Sequence, residues 1–244
     1  MKRLWIIGAG VCLMLAAACS QTQQGQAAGQ ENCKTKQGQA AGLVNCKTKQ
    51  GQAAGQVNCK TKQTEEANAV IETIMARRSI RKYKQVPVGR DTLDVILECG
   101  INAPNGQNRQ SWEVRVVDSP ELMAEIQEAI AKGHPDIPPQ FAKGCFRDAP
   151  VMVFIARDPS YDFSAYDCGL LAENIMLSAW SMGVGSICLG SPVRFLKDND
   201  VCKPYLEKLE FSEGYELCLC VGLGYADETP DAKPRNMEKI KYIE

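Results

Sequence analysis

The chain has 244 residues, 45% hydrophobic and 23% charged, the balance of a soluble globular protein with room for one large domain or two small ones. A formal net charge of −1 and a pI near 6.0 give no bulk attraction for a polyanion, which argues against a nucleic-acid partner. The one histidine, His134, precludes any mechanism that needs two.

Residues 1–19 read as an export signal. Met1-Lys2-Arg3 supplies a positive start, Leu4 to Ala18 is apolar, and the run ends in "LAAAC". That stretch is short for a membrane-spanning helix and fits the apolar centre of a signal peptide. Small residues directly before Cys19 resemble a bacterial lipoprotein processing site, with Ala16 where that pattern prefers Leu. The expectation is a lipoprotein lipidated at Cys19, membrane-anchored and facing the periplasm or cell surface. An uncleaved N-terminal anchor is the other reading, and a start further downstream would leave the protein cytoplasmic.

Residues 20–66 read as a flexible tether. Within it, 25–63 are three copies of a 13-residue unit, "GQAAGQENCKTKQ", "GQAAGLVNCKTKQ" and "GQAAGQVNCKTKQ". Each copy has almost no large apolar side chain to bury, so a coil spanning about 40 Å is expected. The regular cysteines allow metal binding or cross-linking, but an expanded DNA repeat accounts for them more simply. Of the twelve cysteines, the seven beyond residue 66 are scattered through apolar surroundings without CxxC or Cys/His spacing. Buried free thiols are expected there, and no zinc site.

From residue 67 to 244 helical and strand patterns alternate. "EEANAVIETIMARR" places Ala69, Ile71, Ile74 and Met75 near helical spacing, and "GRDTLDVILECGINA" does the same with Leu93, Ile96, Leu97, Gly100 and Ile101. "SWEVRVV" alternates as a strand, "SPELMAEIQEAIAKG" has a Ser-Pro helix start, and "APVMVFIA" reads as a buried strand. "SAYDCGLLAENIMLSAWSMGVG" is a long helix apolar on most of its circumference, which must be covered on several sides, either by a partner or at the centre of one core. "SICLG" and "YELCLCVGLGY" are two more strands. The pattern predicts an α+β domain, a mixed central sheet flanked by helices. The stretch around "GHPDIPPQF", through Lys143, is either a lid or an ordinary connection.

Three segments carry candidate chemistry. "RRSIRKY" sets Arg77, Arg78, Ser79 and Arg81 within five residues, and guanidinium forks with a hydroxyl match phosphate oxygens. Basic residues at a helix end also occur for purely electrostatic reasons. "APNGQNRQSW" (103–112) is rich in side-chain amides, and "PDAKPRN" brings Lys233 and Arg235 in a proline-stiffened loop.

In this order, with "VGSICLG" between the last two, these segments resemble the nitroreductase family of FMN-dependent oxidoreductases from about residue 68 to the C-terminus. The family pattern in the second segment is A-P-S-x-x-N-x-Q-P-W; Asn108, Gln110 and Trp112 match, Asn105 replaces the Ser and Ser111 the second Pro. The resemblance implies an entwined homodimer with FMN at the interface. Arg77, Arg78, Ser79 and Arg81 would contact the phosphate, ribityl chain and N1/O2 edge of the ring, and Lys233 and Arg235 would close on the phosphate. Pro104, Asn105, Gly106 and Asn108 would come from the other subunit, while Leu189 and Gly190 would present backbone to the ring. It further implies ping-pong hydride transfer from NAD(P)H, or another donor, to nitroaromatic, quinone or similar small aromatic acceptors, with no catalytic side chain and no metal. Two alternatives stand beside it: a reductive dehalogenase of the iodotyrosine deiodinase type, and a flavin-binding lipoprotein without turnover.

Overall fold

A computed structural model describes residues 68–197 and 199–244. The export segment, Cys19, the tether and its repeats lie outside those residues. Among the described residues no helix is long and apolar enough to cross a membrane.

Local chemistry sets the element ends. Asn68 opens α1 (Ala69–Ala76) by accepting from the Val70 and Ile71 N–H groups at 3.1 and 3.3 Å. α2 (Arg90–Ile101) follows, then β1 (Trp112–Val117). Ser119 caps α3 (Pro120–Gly133), its hydroxyl accepting from Leu122 N–H at 3.2 Å, with proline in the first turn. α4 (Pro139–Lys143), β2 (Val151–Arg157) and α5 (Ser164–Ser181) complete the middle of the domain. β3 (Gly185–Leu189), α6 (Ser191–Lys197), α7 (Lys203–Glu207) and β4 (Glu216–Gly224) end it.

The strands form one sheet in the order β1-β2-β4-β3, every neighbouring pair antiparallel. Its mixed character comes from a single parallel bridge, Ser79 to Ser186, which lays the "RRSIRKY" segment along the outer edge of β3. Ile80 N–H donates to Ser186 C=O at 2.9 Å, and Lys82 C=O and Lys84 N–H bond the chain just past β4. β2 runs through the middle, buried from Val151 to Ala156, as a strand covered on both faces must be.

Helices cover both faces of the sheet, so there are two cores. On one side α3, α4, α6 and α7 enclose Ile126, Ile130, Phe146, Phe154, Leu196 and Cys220. On the other, α2 and α5 cover Ile96, Val153, Ile155, Leu171, Ile175 and Val221. Each fully buried Leu or Ile here contributes about 1.5–3 kcal/mol. α2 and α5 approach so closely that a Cβ on Gly100 would meet Ile175 Cγ1 at 2.6 Å. α5 is thus the central helix of its own chain's core, with Tyr166 and Leu170 left exposed on its far side.

Two expectations change. The spacing in α1 predicts a buried face, yet α1 has no buried residue: Val70, Ile71, Ile74 and Met75 are all more than half exposed. Ile101 is likewise exposed, and the buried face of α2 consists of Leu93, Ile96 and Gly100. At 133–147, Ala142 and Phe146 are fully buried and Cys145 nearly so, which packs the end of this stretch into the core, while Pro135, Asp136 and residues 138–141 are exposed.

Candidate functional site

The basic turn forms where α1 stops. Arg77 leaves the helix at ψ 137°, and Arg78 folds back to donate from Nη1 to the carbonyls of Met75 (2.7 Å) and Arg77 (2.9 Å). Arg78 therefore caps the negative end of α1, the electrostatic role a basic helix terminus ordinarily has. Arg77 is half-buried; its Nε lies 3.7 Å from Glu173 of α5 and has no hydrogen-bond partner. Ser186, paired with Ser79 on the sheet edge, holds a second buried and unpartnered polar atom, its Oγ. Orphaned buried donors of this kind are costly and uncommon in folded proteins.

Arg81 is exposed and keeps most of its guanidinium unspent. Nη1 donates to Ser79 C=O at 3.1 Å, and the Arg81 backbone N–H donates to the Glu228 carboxylate. Beneath it, the Tyr83 hydroxyl donates to Ile80 C=O at 2.9 Å. Burial, reinforced by the Glu228 charge, pushes that phenol well above its usual range, so Tyr83 stays neutral. Leu189 is buried at the end of β3, and Gly190 turns outward into open space before α6.

The amide-rich loop sits at the other end of α5. Its anchor is Asp167, a buried carboxylate that accepts from Gly106 N–H at 3.0 Å and from the Ser111 hydroxyl at 2.7 Å. Asn105 closes the loop internally, its Oδ1 accepting from Gln110 N–H at 2.9 Å. Gln107, Asn108 and Gln110 all take positive φ, at 55°, 53° and 49°, which is unfavourable for side chains other than Gly and Asn. Such strain concentrates at ligand-binding segments. Gly106 has no room for a side chain, since a Cβ there would lie 2.0 Å from the Tyr161 hydroxyl. Pro104 and Asn108 stay exposed, and Arg109 stacks 4.5 Å over the Tyr161 ring.

Within one chain, then, the structure gathers Arg77, Ser79 and Arg81 with the β3 edge, and it places Pro104, Asn105, Gly106 and Asn108 at the first turn of α5. Lys233 and Arg235 join neither group. Arg235 bonds only local carbonyls, at 2.9 and 3.4 Å, and residues 231–244 are exposed throughout. The sequence reading missed Asp167, Glu173, Tyr161, Ser186 and Glu228. Asp167 had a signal: a carboxylate inside an otherwise apolar helix needs a buried partner.

The family model of the nitroreductases matches residues 74–225, which spans the basic turn, the amide loop and all four strands. The chain belongs to the nitroreductase family. Among its relatives, the NADPH-flavin oxidoreductase of Vibrio harveyi is 31% identical over 175 residues, covering 69% of this chain and 70% of the relative. The nitroreductase with bound FMN from Desulfitobacterium hafniense DCB-2 is a structural neighbour at 31% identity and TM-score 0.66, covering 72% of this chain and 99% of that one. A second nitroreductase with bound FMN, from Bacteroides fragilis NCTC 9343, matches at 29% identity and TM-score 0.66 over 72% of this chain and all of that one. A cavity of about 540 Å³ beside Val88, Met123 and Val151 and another of about 650 Å³ beside Phe211, Ser212 and Leu217 contain none of the candidate residues.

Proposed function

We propose that residues 68–244 bind FMN and act as an FMN-dependent NAD(P)H oxidoreductase. The observation that carries this reading is the set of unspent donors along the β3 edge: Arg77 Nε and Ser186 Oγ buried without partners, beside the free guanidinium of Arg81. A phosphorylated, carbonyl-edged planar cofactor offers acceptors for all three. When bound, FMN supplies hydride transfer between a donor, NAD(P)H or another reductant, and a nitroaromatic, quinone or similar acceptor in two half-reactions.

The chain's own residues bind and orient. Arg77 and Ser79 hold the cofactor's polar chain, Arg78 fixes the end of α1 from which they project, and Arg81 sets a positive charge near the ring's polar edge. Leu189 and Gly190 bring backbone up to the ring where no side chain intrudes. Pro104, Asn105, Gly106 and Asn108 act across the interface of an entwined homodimer. Support for that assembly comes from the exposed apolar face of α1 and the exposed C-terminal arm, with Tyr242 92% and Ile243 90% accessible. The same arm carries Lys233 and Arg235 to the phosphate in the dimer.

The N-terminal sequence supports an exported lipoprotein, lipidated at Cys19 and held at the membrane by the 20–66 tether. At that address a quinol or a redox protein would stand in for the cytoplasmic nicotinamides as donor in the cell, while NAD(P)H remains the donor expected to reduce the isolated protein.

Arg81→Ala tests the site. The expected result is FMN affinity reduced at least tenfold, with the melting temperature within about 2 °C of the parent, since Arg81 is exposed and bonds only one neighbouring carbonyl. Unchanged FMN affinity would overturn the assignment of Arg81.

A further inference from the structure

All seven cysteines among the described residues are free thiols, and two of them, Cys168 and Cys218, share one face of the sheet. Cys168 lies in α5, one residue past the anchor Asp167, fully buried, with its Sγ 3.6 Å from the Ala156 carbonyl of β2. Ala156 pairs with Leu217 of β4 and Ile155 pairs with Leu219, so Cys218 is the extra residue of a β-bulge. The bulge decides where its thiol goes. Leu217 and Cys220 face the α3 and α6 side of the sheet, whereas Cys218 and Leu219, although consecutive, both face the α2 and α5 side. A regular strand alternates and would send one of them to the opposite face. Here the bulge turns Cys218 to the face that Cys168 packs against, next to Leu217, the partner of the same Ala156 whose carbonyl accepts from Cys168 Sγ.

We propose that Cys168 and Cys218 are a disulfide-forming pair, with Cys218 the attacking thiol and Cys168 the resolving one. Cys218 is half-buried and so open to reagents, while Cys168 is fully buried. The Cys168 thiol, with Arg157 and Lys197 nearby, pulls the Cys218 thiol below its usual range, while the same interaction, with burial, pushes Cys168 up. A small-molecule or protein disulfide is the oxidant. The Cys218 thiolate attacks one of its sulfurs and expels one thiolate. Cys168, losing its proton, then attacks Cys218 Sγ and expels the second. One external disulfide becomes two thiols, and two protein thiols become one disulfide. The bond ties the first turn of α5, and with it the Asp167 anchor of the 103–111 loop, to the sheet. The inference does not rest on the flavin assignment.

The test is to equilibrate the full chain, without oxygen, in mixtures of reduced and oxidised glutathione, quench with acid, alkylate, digest with trypsin and weigh the peptides. We expect residues 158–194 joined to 209–235 with the loss of two hydrogens. Those peptides also hold Cys188 and Cys220, so the link must survive in the Cys188→Ala, Cys220→Ala double variant. In Cys168→Ala, Cys218 is expected to accumulate as the glutathione adduct. Loss of the link in the double variant, or a parent chain in which Cys218 stops at the glutathione adduct, would overturn the proposal. Both readouts hold whether or not the protein carries FMN.

Discussion

Asp167 holds the amide loop by two short bonds, and neither partner is adjacent to it in sequence. That is why a motif reading found Asn105, Gly106 and Asn108 but not the group that shapes them. The residue types were legible because their local chemistry is: amides, glycine and proline announce a special backbone. Their engagement was not, since Asn105 spends its carbonyl oxygen inside the loop and Arg78 spends its guanidinium on α1, and both facts depend on side-chain placement. Gly106 gives the sharpest test at this scale. Gly106→Ala sets a methyl 2.0 Å from the Tyr161 hydroxyl oxygen and 3.0 Å from its Cζ. The substitution should destabilise the domain by about 1–3 kcal/mol, and adding Tyr161→Phe should restore part of the loss by deleting the nearer atom. Thermal melts of the two single variants and the double check it; strict additivity would mean that the clash is relieved elsewhere.

Among the elements, α1, α2, α3, α5 and the four strands were legible, because period and caps agree, whereas the short helices α4, α6 and α7 were not. Ser119-Pro120 starts α3 and alternation marks β1, as expected of those signals. What periodicity cannot say is which molecule covers an apolar face. α1 carries a helical apolar stripe, yet among the described residues nothing buries it. The face holds Val70, Ile71, Ile74 and Met75. If a second copy covers it, Ile74→Glu should shift the protein from dimer toward monomer in sedimentation velocity while leaving the helical signal of the domain intact. A dimer unaffected by that charge would show that α1 faces solvent. The bulge in β4 was equally illegible, since the bare run "YELCLCVGLGY" gives no mark of where pairing slips.

At the level of the molecule, one antiparallel sheet separates two cores, and the sheet's β3 edge, not its centre, carries the basic turn. An edge is where a strand can accept a short parallel addition and still leave polar groups unspent for a ligand. A site built from one edge and one distant loop stays open in a single subunit, and closing it falls to the homodimer proposed above. The exported address proposed above would separate such an enzyme from cytoplasmic nicotinamide, so cofactor and donor are separable questions. The central claim is FMN-dependent turnover. The direct measurement is the visible spectrum of the purified protein, without oxygen, before and after NADH or NADPH and then after a nitroaromatic. The account predicts a yellow protein that bleaches with the donor and recolours with the acceptor. A colourless protein that takes up no FMN, or bound flavin that no donor reduces, would contradict it.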